Sequence, residues 1–182
     1  MQSKPPAWLG TKSGKIAFLS TSIALTACLN LVMIPMPQPL AEYDLSPILI
    51  YTLGLILNPL SAGLIVAIAQ GIGTSIKAYT MGWPLVFIPG AMGVRGLEAS
   101  IISLVSRTKP PPARIGKVDV LSMVVGVVWE TIAFTLADIA LFGLGAGLLT
   151  LLTIVDAIFI PVAVVVVMLV RKLMGVSRID LR

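Results

Sequence analysis

From Ile16 to Ile34 the chain runs nineteen residues, IAFLSTSIALTACLNLVMI, without a charge, and apolar stretches recur along most of its 182 residues. A helix rises about 1.5 Å per residue and the hydrocarbon of a bilayer is about 30 Å thick, so a run of roughly 20 apolar residues crosses it. The expected fold class is therefore an all-α integral membrane protein. Composition agrees: 57% of residues are hydrophobic and 12% charged, against about 25% charged in soluble domains. The length fits five to seven spans and leaves no room for a soluble catalytic domain. A histidine count of zero removes imidazole-based triads, HExxH zinc sites and histidine proton relays. The single cysteine removes disulfide frameworks and cysteine zinc clusters. Neither a metal nor a cofactor is expected, and no catalytic residue is assigned.

Punctuation divides the chain into six spans. Span one is Ile16 to Ile34, stopped by Pro35, Pro37 and Pro39. Ser46-Pro47 is a helix start, and span two runs from there to Leu57, where Asn58-Pro59 ends it. Span three runs from Leu60 to about Ile76. Spans two and three are short, as the helix pairs beside transporter sites often are. Lys77 to Pro84 reads as an interfacial loop with Tyr79 and Trp83 as aromatic anchors. Span four, Leu85 to Val105, holds the small residues Gly90, Gly93 and Gly96. Span five is about Val118 to Phe142, and span six Leu148 to Val170. The expected organisation is a tail at 1–15, a six-helix substrate-binding domain at 16–170 and a second tail at 171–182.

The tail, the 57–60 turn, the 106–117 loop and the C-terminus hold eleven of the thirteen Lys and Arg. By the positive-inside rule both termini are expected in the cytoplasm and the protein in the cell membrane. The basic balance then reflects topology and contact with anionic lipid, not nucleic-acid binding, since no basic run is interleaved with aromatics.

Several motifs fail on inspection. Gly10 to Ile16 resembles a phosphate loop but has three residues between its glycines and Ile where Ser or Thr would hold magnesium. Leu25 to Cys28 matches a lipoprotein cleavage box, yet five more spans follow, and a buried thiol in span one is the better reading. GLGAG at 143–147 joins two membrane helices, and Tyr43-Asp44 lacks the GxGD of intramembrane aspartyl proteases.

Ionisable groups in hydrocarbon cost several kcal/mol unless paired or wet, which singles out Arg95, Glu98, Glu130, Asp138 and Asp156. Arg95 either pairs with Glu98 or Glu130 to lock the bundle or contacts a ligand. Asp138, Asp156 and Asn30 lie towards the outer side, as does Gln70. No second intramembrane cation is expected to pair with the outer carboxylates. They suggest a polar pocket framed by spans one, five and six and closed by loops 35–46 and 77–84. Tyr43, Asp44, Tyr79 and Trp83 would line its lid and suit a flat heterocycle. Span one also carries a smooth stripe, Ser20, Ala24 and Cys28, that permits close approach of another helix, either within the bundle or in a partner.

The Pro-rich first external loop, the acidic Ser/Pro helix start and the stretch PMPQPLAEYDLSPILIYTLGLILNPLSAGLIVAIAQGIGTSI resemble the substrate-binding S components of energy-coupling factor (ECF) vitamin transporters. The NPLSAG turn stands where members often show G-P-x-x-G. The resemblance implies capture of a vitamin-like small molecule near the outer face, with a weak lean to flavins. It implies association with a transmembrane coupling protein and two ATPases, followed by toppling in the membrane. It also places partner docking on helix one, at Ser20, Ala24 and Cys28, although the family's AxxxA pattern is not strict here. A stand-alone ion-coupled carrier or channel using Glu130, Asp138 and Asp156 is the alternative.

Overall fold

Proline and capping side chains set where the apolar runs begin as helices. The computed structural model describes residues 6–34, 43–108, 115–175 and 178–179. A 3-10 turn, Ala7–Gly10, leads into α1 (Lys12–Leu31), where the Thr11 hydroxyl accepts the Gly14 N–H at 3.0 Å. Next come β1 (Met33–Ile34) and β2 (Tyr43–Asp44), antiparallel, with Met33 opposite Asp44 and Ile34 opposite Tyr43. Helix α2 (Ser46–Ile56) has Pro47 in its first turn, and α3 (Pro59–Met81) follows an Asn58 cap that accepts the Ser61 N–H at 2.9 Å. Helix α4 covers Phe87–Ser106 and α5 Lys117–Phe142, its start fixed by the Asp119 carboxylate accepting the Gly116 N–H at 3.0 Å. Helix α6 (Leu144–Thr150), a 3-10 segment (Leu151–Phe159) and α7 (Ile160–Met174) follow.

Five helical units are long and apolar enough to cross a membrane: α1, α3, α4, α5 and the continuous run Leu144–Met174. Their outer faces suit lipid. On α3, Leu60, Leu64, Ile68, Ile72 and Ile76 recur every fourth residue and are all exposed.

The sixth unit, α2, has eleven residues, a rise of only about 16 Å. It does not need to meet lipid, because protein surrounds it: Ile50, Tyr51, Leu53, Leu55 and Ile56 are all buried. The backbone that joins it to α3 lies inside the bundle, where water cannot satisfy its carbonyls. Protein groups do so instead. The Ile179 N–H donates to the Ile56 carbonyl at 2.7 Å, and the Ser103 and Ser100 hydroxyls donate to the Leu57 and Pro59 carbonyls at 2.6 and 2.9 Å. Helices α3 and α4 meet through Gly63 and Gly96, where a Cβ on Gly96 would lie 3.0 Å from that of Ala67. Gly90 and Gly93 face open space, so only one rung of the small-residue ladder packs.

Four expectations are corrected. Lys77 to Pro84 is not a loop throughout: no proline or glycine interrupts Lys77 to Met81, and α3 runs on until Gly82, which is left-handed with φ 72°. Lys77 is therefore a buried cation of α3. Span six is not one regular helix, for nine residues of it are wound as 3-10 before Pro161 opens α7. Cys28 is exposed, not buried, as are Ser20 and Ala24, so the stripe on α1 is not used for packing inside the bundle. The pocket is not framed by spans one, five and six alone, since α3 and α4 supply much of its wall. Loop residues 35–42 of the expected lid lie outside the described residues.

Candidate solute-binding site

A cavity of about 420 Å³ opens at the end of the bundle where α1, α3 and α5 finish and α4 begins. Three helices contribute to it at helical spacing. Phe87, Ala91 and Arg95 come from α4; Phe134, Asp138 and Phe142 from α5; Gln70 and Thr74 from α3. Each set repeats every fourth residue and so shares one helix face.

One side of the cavity is a buried polar network. The Asn30 amide donates to Asp44 Oδ2 at 3.0 Å and to Gln70 Oε1 at 2.8 Å. Gln70 Nε2 donates to the Ser46 hydroxyl at 2.9 Å, and the Ser46 N–H donates to Asp44 Oδ1 at 2.7 Å. Lys77 Nζ stands 3.7 Å from Asp44 Oδ2 and 5.8 Å from the centre of the Trp83 ring. Asn30, Asp44, Ser46, Gln70 and Lys77 are all buried. The two donors of Asn30 are thereby used, and its Oδ1 turns to α3 at Gly73, where a Cβ would stand only 2.2 Å away. The network needs glycine at that position.

Deeper, Arg95 Nη2 lies 2.7 Å from Glu130 Oε1 and 3.3 Å from Asp156 Oδ2. Its Nη1 is buried with no hydrogen-bond partner, and its guanidinium carbon is 6.0 Å from the centre of the Phe134 ring. Arg95 thus makes its ion pairs across elements, with Glu130 of α5 and Asp156 of the 3-10 segment, and not with the buried Glu98 one turn along α4. The lining is also aromatic, with Trp83, Phe87, Phe134 and Phe142. Trp83 and Phe87 stand 5.6 Å apart between ring centres and Phe87 and Phe142 5.5 Å, both tilted. Asp138 accepts the Thr150 hydroxyl beside them.

Of the residues singled out from sequence, Asn30, Asp44, Gln70, Trp83, Arg95 and Asp138 line the cavity. Glu130 and Asp156 stand behind Arg95 and hold its guanidinium. Tyr43 is also set back: its hydroxyl donates to the Leu152 carbonyl at 2.6 Å, tying β2 to the 3-10 segment. Burial, with Asp156 nearby, raises its pKa above the ordinary 10.0, so it stays a neutral donor. Tyr79 is 93% exposed on α3 and does not reach the cavity. The expectation that Asp156 lacks a cation partner is corrected by Arg95, and the expectation of a single intramembrane cation by Lys77. Sequence reasoning missed Thr74, Phe87, Phe134, Phe142, Thr150 and Thr153. The i, i+4, i+8 pattern of Phe134, Asp138 and Phe142 was the signal available.

Aromatic, amide and carboxylate groups lining one cavity, in a bundle with five helical units long and apolar enough to cross a membrane, fit a membrane-embedded solute-binding protein. The family model for the ECF-type riboflavin transporter, S component, matches residues 11–174. The chain belongs to that family, and is the non-catalytic, substrate-binding subunit of an ECF importer. Membership implies riboflavin as substrate and an energy-coupling module as partner. No curated protein and no solved structure matches the chain.

Proposed function

We propose that riboflavin occupies this cavity, its flat ring system against Trp83, Phe87, Phe134 and Phe142 and its polar groups towards Asn30, Asp44, Gln70, Asp138 and Arg95. The observation that carries the reading is the pairing of aromatic side chains with a buried amide and carboxylate network in one cavity of about 420 Å³. Arg95 Nη1, a buried donor without a partner, suits a ring carbonyl. Glu130, Asp156 and Tyr43 act from behind as positioning residues, and Tyr79 is left out of the site.

The chain is oriented with both termini in the cytoplasm of the cell and the cavity towards the outside of the plasma membrane. Eleven of thirteen Lys and Arg at the tail-bearing end support this, and Lys77, at the other end, is matched by Asp44. Residues 16–170 form the binding domain, between tails at 1–15 and 171–182. The exposed stripe Ser20, Ala24 and Cys28 is where the coupling protein docks, bringing two ATPases with it.

The test is titration of the purified full chain in lipid nanodiscs with riboflavin, followed by quenching of flavin fluorescence. Saturable binding is expected, weakened at least about tenfold by Phe87→Ala or Asn30→Ala. If both variants bind as the parent does, the ligand lies elsewhere.

A further inference from the structure

Resting on the riboflavin reading, we infer that Tyr43 and Tyr51 clamp Leu151–Phe159 in its 3-10 winding, and that this winding presents Thr153 to the cavity and Asp156 to Arg95. Neither tyrosine lines the cavity, so both are positioning residues. Nine residues is long for this form, whose runs rarely pass three or four because its hydrogen bonds are poorly aligned. The segment LLTIVDAIF contains neither glycine nor proline to impose it. Packing of its outer side does not impose it either: Leu151, Leu152, Ile154, Val155 and Ile158 are all exposed, and Asp156 is the one buried residue of the nine. The inward side follows a different rule. Thr150, Thr153, Asp156 and Phe159 succeed one another at every third position. The Thr150 hydroxyl donates to Asp138, Thr153 lines the cavity, Asp156 Oδ2 accepts from Arg95 Nη2 at 3.3 Å, and Phe159 packs on the apolar core.

At three residues per turn these four side chains lie in one row. An α-helix advances about 100° per residue instead of about 120°, so counted from Thr150 it would carry Thr153 about 60°, Asp156 about 120° and Phe159 about 180° out of that row. Arg95 would lose Asp156, and Thr153 would turn from the cavity. Two hydroxyls from distant elements meet the backbone of the segment. Tyr43 of β2 donates to the Leu152 carbonyl at 2.6 Å, and Tyr51 of α2 to the Asp156 carbonyl at 3.3 Å. A carbonyl tilted outward to meet a side-chain donor is drawn away from the N–H four residues on, which weakens the α ladder at that point. The two carbonyls bracket the stretch from Thr153 to Asp156, so the clamps act at both of its ends. Both rings are buried, Tyr51 completely, which fixes where the hydroxyls stand.

The experiment places nitroxide spin labels at Leu148→Cys and Val165→Cys, exposed positions on either side of the segment, in the full chain carrying Cys28→Ser and held in lipid nanodiscs. The distance between the labels is read by double electron–electron resonance with both tyrosines intact and with both changed to Phe. Residues rise about 2.0 Å each in 3-10 form and about 1.5 Å in α form, so releasing the clamps on nine residues is expected to shorten the distance by about 4–5 Å. Riboflavin affinity, titrated on unlabelled chains, is expected to fall at least about tenfold in the double Phe variant. The same two changes should add little when Asp156→Asn is already present, because the tyrosines act through Asp156. If the double variant does not fold, Tyr51→Phe alone, which keeps every ring contact, is expected to shift the distance in the same direction. An unchanged distance overturns the clamp, and so does a full further loss of affinity in the Asp156→Asn background. The spin-label distance needs no ligand. Failure of the folded parent chain to bind riboflavin would therefore sink the function reading, while the distance still decides whether the tyrosines hold the winding.

Discussion

Replacing Gly73 by alanine tests the polar wall of the cavity with one methyl group. A Cβ at 73 would stand 2.2 Å from Asn30 Oδ1 and 2.8 Å from its Cγ. Carbon and oxygen do not approach closer than about 3 Å without repulsion, so one partner must move by about 1 Å. Residue 73 is fixed inside α3, leaving Asn30 to move. Its bonds to Asp44 at 3.0 Å and Gln70 at 2.8 Å then stretch out of range. A hydrogen bond to a charged group contributes about 1.5–3 kcal/mol and a neutral one about 1, so Gly73→Ala should cost roughly 2.5–4 kcal/mol of stability. The assay is thermal unfolding of the purified chain in detergent, alongside riboflavin titration, where affinity should fall at least about tenfold. The control is the same chemical change at Gly90, which has nothing within 4 Å. There alanine should be neutral or stabilising by up to about 1 kcal/mol, through helix propensity. A double substitution with Asn30→Ala removes the atom that is struck, so Gly73→Ala should add little in that background. If Gly73→Ala unfolds and binds like Gly90→Ala, the steric reasoning fails.

Three other outcomes are expected. Lys77→Met leaves the Asp44 carboxylate buried without its cation and should cost about 3–5 kcal/mol, part of which Asp44→Asn restores in the double variant, read by thermal unfolding. Tyr43→Phe should cost about 1 kcal/mol by removing the bond to the Leu152 carbonyl. Because its folded pKa is raised, Tyr43 contributes stability that is complete below pH 10 and lost as the pH climbs through the raised value. A pH series should therefore show the parent losing more stability than Tyr43→Phe only in the alkaline range. Ala24→Leu, on an exposed position, should leave riboflavin binding by the isolated chain intact while lowering ATP-driven uptake with partners present. Undiminished uptake would move the docking face elsewhere.

Helix starts were legible because local chemistry writes them: Ser46-Pro47 and Asn58-Pro59 bound α2 and α3 as their sequence suggests. Asn30, Gln70, Arg95 and Asp138 were legible because polar groups at membrane depth need a reason to be there. What was hidden depends on partners remote in sequence. Lys77 looks like an interfacial charge after an apolar run, and only Asp44, brought across by β2, explains its burial. Arg95 has Glu98 at i+3, yet tertiary packing gives it Glu130 and Asp156. Tyr79 has the composition of an anchor and the wrong helix face for the cavity. The 3-10 winding before Pro161 left no local mark, since Leu151 to Phe159 reads as ordinary apolar helix.

Helix α2 is wrapped on every side by the other helices, and the polar groups that serve its ends and the cavity are supplied by the protein itself. These buried charges are solvated by a medium that travels with them. Their energies are consequently insensitive to how the molecule is inclined in the bilayer, and a change of tilt is felt only by the outer aliphatic faces of helices such as α3. The ion pairs thus keep their protein surroundings, and only the aliphatic rim meets the lipid.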